Sequence, residues 1–487
     1  MKAVVITAQT KNELLLLVTG ATILALAFFV PAVAAIVLAA LWIALIVALS
    51  YNISLGWLVL VFLSPLINWE LRLGFLQRYF FPFPWLYRMH APAVEFWAVT
   101  LLLAFGVYCV RRIRSGEALV VHWPGVGWFL LFIFSALVSL QNVPPNDRLG
   151  SLKYIVHFLI FFYVSYIVLA TNIVDSKKLW RQSLAVLASV GFLAALMGAA
   201  SLVLGVWNQD GFYRAVPFAI FGWKPFGDQH IFLAEVITTT LPIFVFFWHQ
   251  TVAVRTKKTL AVVTWFVFII GMLTLSRAGW ITMFVEALVF LWLTRHEGYW
   301  KEIKRRAHYA FAIAPLFAYL MYFLITSSVV SGSTSTRSNL LDMALFLFRQ
   351  DPLIGQGVGT FTGRVTEFRA YQYEFGEVLD AQGIVQKLLA EQGMLGLVTF
   401  SLFTGWILMV ILRRYHSKDY SPEARGAYFV AIFLVLSPLI FQLFNTQYYT
   451  SKMWMPIALA IAQSVLYKNR YHLLSRAHKP ITIETEM

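Results

Sequence analysis

What most constrains this chain is a succession of apolar runs, about fourteen of them, each close to the roughly 20 residues a helix needs to cross the hydrocarbon core of a bilayer. They lie near residues 13–30, 31–48, 51–67, 94–111, 123–140, 151–172, 182–207, 229–249, 259–275, 278–294, 308–326, 393–412, 426–445 and 453–467. Backbone inside lipid has no water to bond, so such runs fold as helices that satisfy their own N–H and C=O groups. Of the 487 residues, 60% are hydrophobic and 13% charged, against roughly 25% charged in a soluble domain. A soluble globular enzyme is excluded. The 42 Phe, 21 Tyr and 17 Trp also exclude a disordered or fibrous chain. The expected fold is all-α, a polytopic integral membrane bundle of about 12–14 transmembrane helices, with residues 1–487 forming a single membrane domain.

The 36-residue stretch 13–48, apolar almost throughout, is too long for one crossing, so a tight helical hairpin is expected at Pro31. No small-residue cleavage pattern follows a single short apolar core, and no cleavable signal peptide is expected. Cys109 stands alone inside an apolar run, which leaves no disulfide framework and no Cys-based metal site.

A net charge of +15 would suggest nucleic acid in a soluble protein. In a membrane protein it first indicates Lys and Arg held in cytoplasmic loops. Arg111, Arg112 and Arg114; Lys177, Lys178 and Arg181; Arg255, Lys257 and Lys258; Arg295, Lys301, Lys304, Arg305 and Arg306; Arg413, Arg414 and Lys418; and Lys468 and Arg470 fall on alternate loops. Those loops and both termini are therefore expected in the cytoplasm, with no nucleic-acid partner. Segments 68–93, 141–150, 208–228 and about 327–390 are left on the outer face.

The 327–390 segment is the part that reads as a soluble element, a large periplasmic loop with short helices. From Asp342 through Asp351, Glu367, Glu374, Glu377 and Asp380 to Glu391 the chain carries seven of its 23 acidic residues, beside Arg337, Arg349, Arg364 and Arg369. Ser335 or Thr336 is expected to cap a helix from Arg337 to about Arg349, ended by Gln350-Asp351-Pro352. Gly355, Gly357 and Gly359 read as a sharp turn. They lack the preceding strand and the spacing of a dinucleotide site. A second helix is expected to begin at Asp380 and run through Glu391 to Gly393 and Gly396.

Three outer-face arginines stand out: Arg214, Arg277 and Arg337. A guanidinium is a permanently charged fork that fits phosphate oxygens bidentately, and the alternative is snorkelling to lipid headgroups or pairing with loop acids. Within the runs, Lys153 and His157 share a helix face, and Glu235 and Glu286 are embedded in apolar sequence. Such groups mark either a proton-coupled transporter or internal packing pairs, and packing pairs are the expectation except at Glu286, which needs a partner or a proton. The 68–93 segment mixes aromatics with Arg72 and Arg88, which suits the headgroup layer; it either anchors the chain among membrane lipids or walls a lipid-linked substrate.

Three motifs in order, Leu275-Ser276-Arg277-Ala278-Gly279-Trp280, then Arg337 with Asp351-Pro352-Leu353-Ile354-Gly355-Gln356-Gly357-Val358-Gly359-Thr360-Phe361, then Leu388-Leu389-Ala390-Glu391-Gln392-Gly393-Met394-Leu395-Gly396, resemble the shared core of bacterial O-antigen ligases and O-antigen polymerases. The resemblance covers about residues 210–465. It implies an inverting, metal-independent glycosyltransferase of the inner membrane, with no cofactor. Such enzymes move a glycan from undecaprenyl diphosphate onto a hydroxyl acceptor at the periplasmic face: a lipid A core sugar in ligases, the next repeat unit in polymerases. Carried over by position, Arg277 and Arg337 bind the diphosphate, and Arg214, ahead of Phe226-Gly227-Asp228-Gln229-His230, falls near a third basic position.

One departure matters. Where ligases carry a histidine-bearing pattern whose histidine is the proposed base, this chain reads Asp380-Ala381-Gln382-Gly383. Gln382 cannot take a proton, Asp380 can, and Glu374 and Glu377 are nearby substitutes. The expectation is therefore a polysaccharide repeat-unit polymerase, with Asp380, Arg277 and Arg337 catalytic. An O-antigen ligase and a non-catalytic glycan-binding member remain within the family, and a solute transporter is the rival from another class.

Overall fold

Helix follows the apolar runs along nearly all of the described chain. The computed structural model describes residues 31–66, 68–72, 90–117, 119–206, 213–294, 328–367, 379–417, 420–445 and 450–477. These form two compact units, one of residues up to 63 with 67–120, the other of 64–66 with 121 onward.

In the first unit, α1 (Pro31–Tyr51) and α2 (Ile53–Leu63) meet at Asn52 with a bend of 109°. A short antiparallel pair, β1 (Glu70–Arg72) with β2 (His90–Pro92), leads into α3 (Ala93–Arg114). Among the described residues this pair is the one sheet, beside an isolated antiparallel bridge between Ile220 and Trp223; residues 73–89 of the aromatic 68–93 segment lie outside them. Two indoles tie the helices: Trp42 Nε1 donates to Thr100 Oγ1 at 2.9 Å, and Trp97 Nε1 to the Gly56 carbonyl at 2.8 Å.

The second unit holds α4 (Val126–Ser139), α5 (Arg148–Ile173), α6 (Lys177–Val203), α7 (His230–Gln250), α8 (Val254–Leu273), α9 (Arg277–Leu293), α10 (Ser328–Gln350), α11 (Phe361–Thr366), α12 (Ile384–His416), α13 (Pro422–Gln442) and α14 (Ser451–Ala477). Between Ile155 and Val168, α5 is wound more widely, as π-helix. The core lies between α6, α7, α13 and α14, where small residues bring helices close. A Cβ at Gly191 would lie 2.0 Å from Thr240 Oγ1, joining α6 to α7; one at Gly271 would meet Ile237, joining α8 to α7. Large apolar side chains such as Ile36, Leu41, Val262, Trp265 and Phe284 point outward, the arrangement a lipid-facing surface requires.

Among the described residues seven helices are long and apolar enough to span a membrane, namely α3, α5, α6, α7, α8, α12 and α13, or eight if α1 and α2 form one broken span. The larger expectation differs for identifiable reasons. Runs 13–30 and 308–326 lie outside the described residues, and with the first of them the first arm of the hairpin expected at Pro31. Runs 123–140 and 278–294 form α4 and α9, of 14 and 17 residues.

Candidate functional site

The turn between α8 and α9 is built to present Arg277. Leu275 takes a left-handed φ of 53°, a conformation that costs an L-residue roughly 1–2 kcal/mol. The turn is held by its own side chains: Thr274 Oγ1 accepts from the Ser276 N–H at 3.3 Å, Ser276 Oγ caps the Gly279 N–H at 3.3 Å, and Trp280 Nε1 donates to the Met272 carbonyl at 3.0 Å. Arg277 is thereby the first residue of α9, and its Nη1 donates to Thr334 Oγ1 of α10 at 3.0 Å. A cation there opposes the helix dipole, whose positive end favours anions.

His230 occupies the same place in α7. The two helix starts are adjacent because Ala234 of α7 and Ala278 of α9 pack together with Phe441, with Ile231 and Phe444 against them. Arg214 reaches His230 from the preceding segment, where the Ala215 N–H donates to the Leu273 carbonyl at 2.8 Å and the Val216 N–H to Ser201 Oγ at 3.0 Å. Its Nη1 lies 3.3 Å from His230 Nε2. The guanidiniums of Arg214, Arg277 and Arg337 all act electrostatically on the His230 ring. Arg337 is half-buried in α10; burial, and then the Arg277 guanidinium, hold it below the usual arginine range. The three arginines singled out in the sequence are thus brought together.

The segment before α12 joins this cluster through the end of α13. A Cβ at Gly383 would sit 2.5 Å from the Leu443 carbonyl oxygen, next to Phe441 and Phe444. Leu379 and Ala381 pack on Leu340 and Ala344, which follow Arg337 along α10. Between them, Asp380 Oδ2 accepts from Lys387 Nζ at 2.6 Å and Oδ1 from the Ala381 N–H at 2.9 Å. Lys387 is buried, stands 3.8 Å from Glu391 Oε1 and faces the Tyr154 ring. The Gln382 N–H donates to Gln386 Oε1 at 3.2 Å. Glu374 and Glu377 lie outside the described residues. Asp380 does not begin the helix: Gly383 precedes α12, which starts at Ile384. Ser335 and Thr336 do not cap α10, which extends back to Ser328, although its end at Gln350 falls where Asp351-Pro352 requires.

The glycine motifs are structural partners of one another. The Gln356 N–H donates to the Ala390 carbonyl at 2.8 Å, Gly357 to Glu391 at 2.9 Å, Met394 to Pro352 at 2.9 Å and Leu395 to Leu353 at 3.1 Å. Contact this close between main chains needs glycine: a Cβ at Gly393, where φ is 63°, would lie 2.4 Å from the Leu353 carbonyl carbon, and one at Gly355, φ 70°, 2.5 Å from the Gln392 nitrogen. Glu391 Oε1 accepts from the Phe361 N–H at 3.1 Å, at the start of α11. Asn142 Nδ2 bonds Asp351 and, at 2.7 Å, the Gly355 carbonyl, tying the turn to the end of α4.

Residues 262–401 match the O-antigen ligase family model. Over that segment the chain is similar to O-antigen ligases. The O-antigen ligase match contains Arg277, Arg337, both glycine motifs, Asp380 and Lys387; Arg214 and His230 precede it. No curated protein matches the chain. The sequence reading assigned no role to His230, Lys387 or Asn142. For Lys387 a signal existed, its i,i+4 spacing to Glu391; a lone His before an apolar run and an Asn in a loop carried none.

The other embedded ionisable groups have ordinary explanations. Lys153 and His157 are exposed. Glu235 is paired with Lys452 and accepts from Gln442 Nε2 at 2.7 Å, the internal pair expected of a buried carboxylate. Glu286 is buried beside Ser437.

Proposed function

We propose that this protein is a membrane glycosyltransferase that lengthens a polysaccharide on undecaprenyl diphosphate at the periplasmic face of the bacterial inner membrane. The observation that carries the reading is the gathering of Arg214, Arg277 and Arg337 about the adjacent starts of α7 and α9, a cationic cluster suited to a diphosphate. The acceptor hydroxyl attacks the anomeric carbon, a C–O bond forms, and the bond to the diphosphate breaks, giving inversion in one displacement. Charge grows on the leaving diphosphate as that bond lengthens, so fixed guanidiniums favour the transition state over the ground state. Asp380 receives the hydroxyl proton or orients the acceptor, with Glu374 and Glu377 as secondary candidates for either role and Gln382 for orientation alone. No step needs a metal or a cofactor.

Transfer to a lipid A core, the ligase reaction, is the second reading, favoured by the description of the matching family. Incubation of the purified chain with a lipid-linked repeat unit tests both. A ladder of products supports the polymerase, and a single transfer to added lipid A core supports the ligase. Neither product, with solute uptake into reconstituted vesicles, would replace both by the transporter. Binding of the lipid-linked glycan without any product would leave a non-catalytic member.

A further inference from the structure

His230 faces Arg214 as a hydrogen-bond partner at 3.3 Å, Nε2 to Nη1. A guanidinium only donates, so Nε2 accepts, and the ring proton sits on Nδ1; a doubly protonated ring would have nothing with which to accept. His230 is half-buried at the first position of α7, beside the first turn of α9. No other hydrogen bond to the ring is formed among the described residues. The result is one neutral N–H donor standing among three guanidiniums at two neighbouring helix starts.

We propose that His230 is a fourth ligand of the donor's diphosphate, giving one hydrogen bond from Nδ1 while Arg214 fixes its tautomer and orientation. The inference rests on reading Arg214, Arg277 and Arg337 as diphosphate ligands. An uncharged donor adds a directed bond where a fourth cation would repel the other three. Its role is to hold the leaving group and not to accept the acceptor's proton, because the basic nitrogen is already engaged by Arg214.

The test uses the full chain in detergent or nanodiscs with a lipid-linked repeat unit as substrate and undecaprenyl diphosphate as competing probe. His230→Leu is expected to lower kcat/KM by at least about tenfold, the loss of one hydrogen bond to a charged group, and to weaken inhibition by the probe. His230→Gln, whose amide oxygen accepts from Arg214 while its NH2 donates, is expected to restore most of both. Wild-type behaviour of His230→Leu in both measurements would overturn the proposal. So would a His230→Gln variant as inactive as His230→Leu but still inhibited like the wild type, because the ring would then be a proton acceptor. If the wild-type chain turns over but is not inhibited by the probe, the diphosphate reading of the arginines fails first, and that result is distinct from a failure confined to His230.

Discussion

Lys452 Nζ stands 3.6 Å from a carboxylate oxygen of Glu235, with the two side chains 2% and 1% exposed. Each charge is tolerable at that depth because the other is present. Lys452→Met strands the carboxylate and is expected to cost about 3–5 kcal/mol, read as a lowered unfolding midpoint in detergent. Pairing it with Glu235→Leu removes both charges and should recover most of the loss. A single variant that melts like the wild type would show that the pair contributes nothing to stability.

Gly393→Ala tests the contact between the two glycine motifs. The Gly393 backbone, φ 63° with ψ −159°, lies in a region essentially reserved for glycine and costs another residue about 1–3 kcal/mol, and forcing a methyl against the Leu353 carbonyl adds about 1–3 kcal/mol. The variant is expected to melt lower and to be cleaved faster by protease in the Asp351–Thr360 stretch. Gly363→Ala is the control, since a Cβ there meets nothing within 4 Å.

Arg277→Ala is expected to lower turnover of a lipid-linked repeat unit by roughly 10²–10³-fold, the usual loss when one preorganised donor to a developing anion is removed. Expression and unfolding midpoint should be unchanged. Arg277→Lys keeps the charge and loses the fork, so it should fall between the two. Retained activity in Arg277→Ala would remove the arginine from the site.

Asp380→Asn separates two roles of one carboxylate. As the group that takes the acceptor's proton, Asp380 is expected to lose at least about 10²-fold in kcat on amidation. If it serves only to hold Lys387, the amide of the variant keeps an oxygen for that ammonium and turnover stays near normal. Lys387→Met, measured alongside for stability, should destabilise the fold, because Asp380 and Glu391 both lose their shared cation.

The spans were legible because crossing a bilayer sets a length and an apolarity that few soluble sequences imitate. Boundaries in polar sequence were not. Ser331–Thr336 offers a run of small and hydroxyl residues, several of which make plausible caps, yet the helix already runs through all of them from Ser328 onward. Arg214, Arg277 and Arg337 were each visible as charges beside apolar runs. Their meeting depends on Ala234 packing on Ala278, a pair of small residues with no signal of their own. Glycine carried the reverse ambiguity: Gly355 and Gly393 could be read as turn formers, but not as the points where two main chains touch.

That touch also sets how the molecule can breathe. Four backbone hydrogen bonds fasten Pro352–Gly357 to Ala390–Leu395, and Leu395 lies just past the break at Gly393, in the longer arm of α12. The glycine stretch is therefore a fixed wall continuous with a membrane-spanning element, and it cannot swing aside without unzipping that joint. Under the proposed function, any movement that admits a substrate therefore has to come from elements other than this stretch.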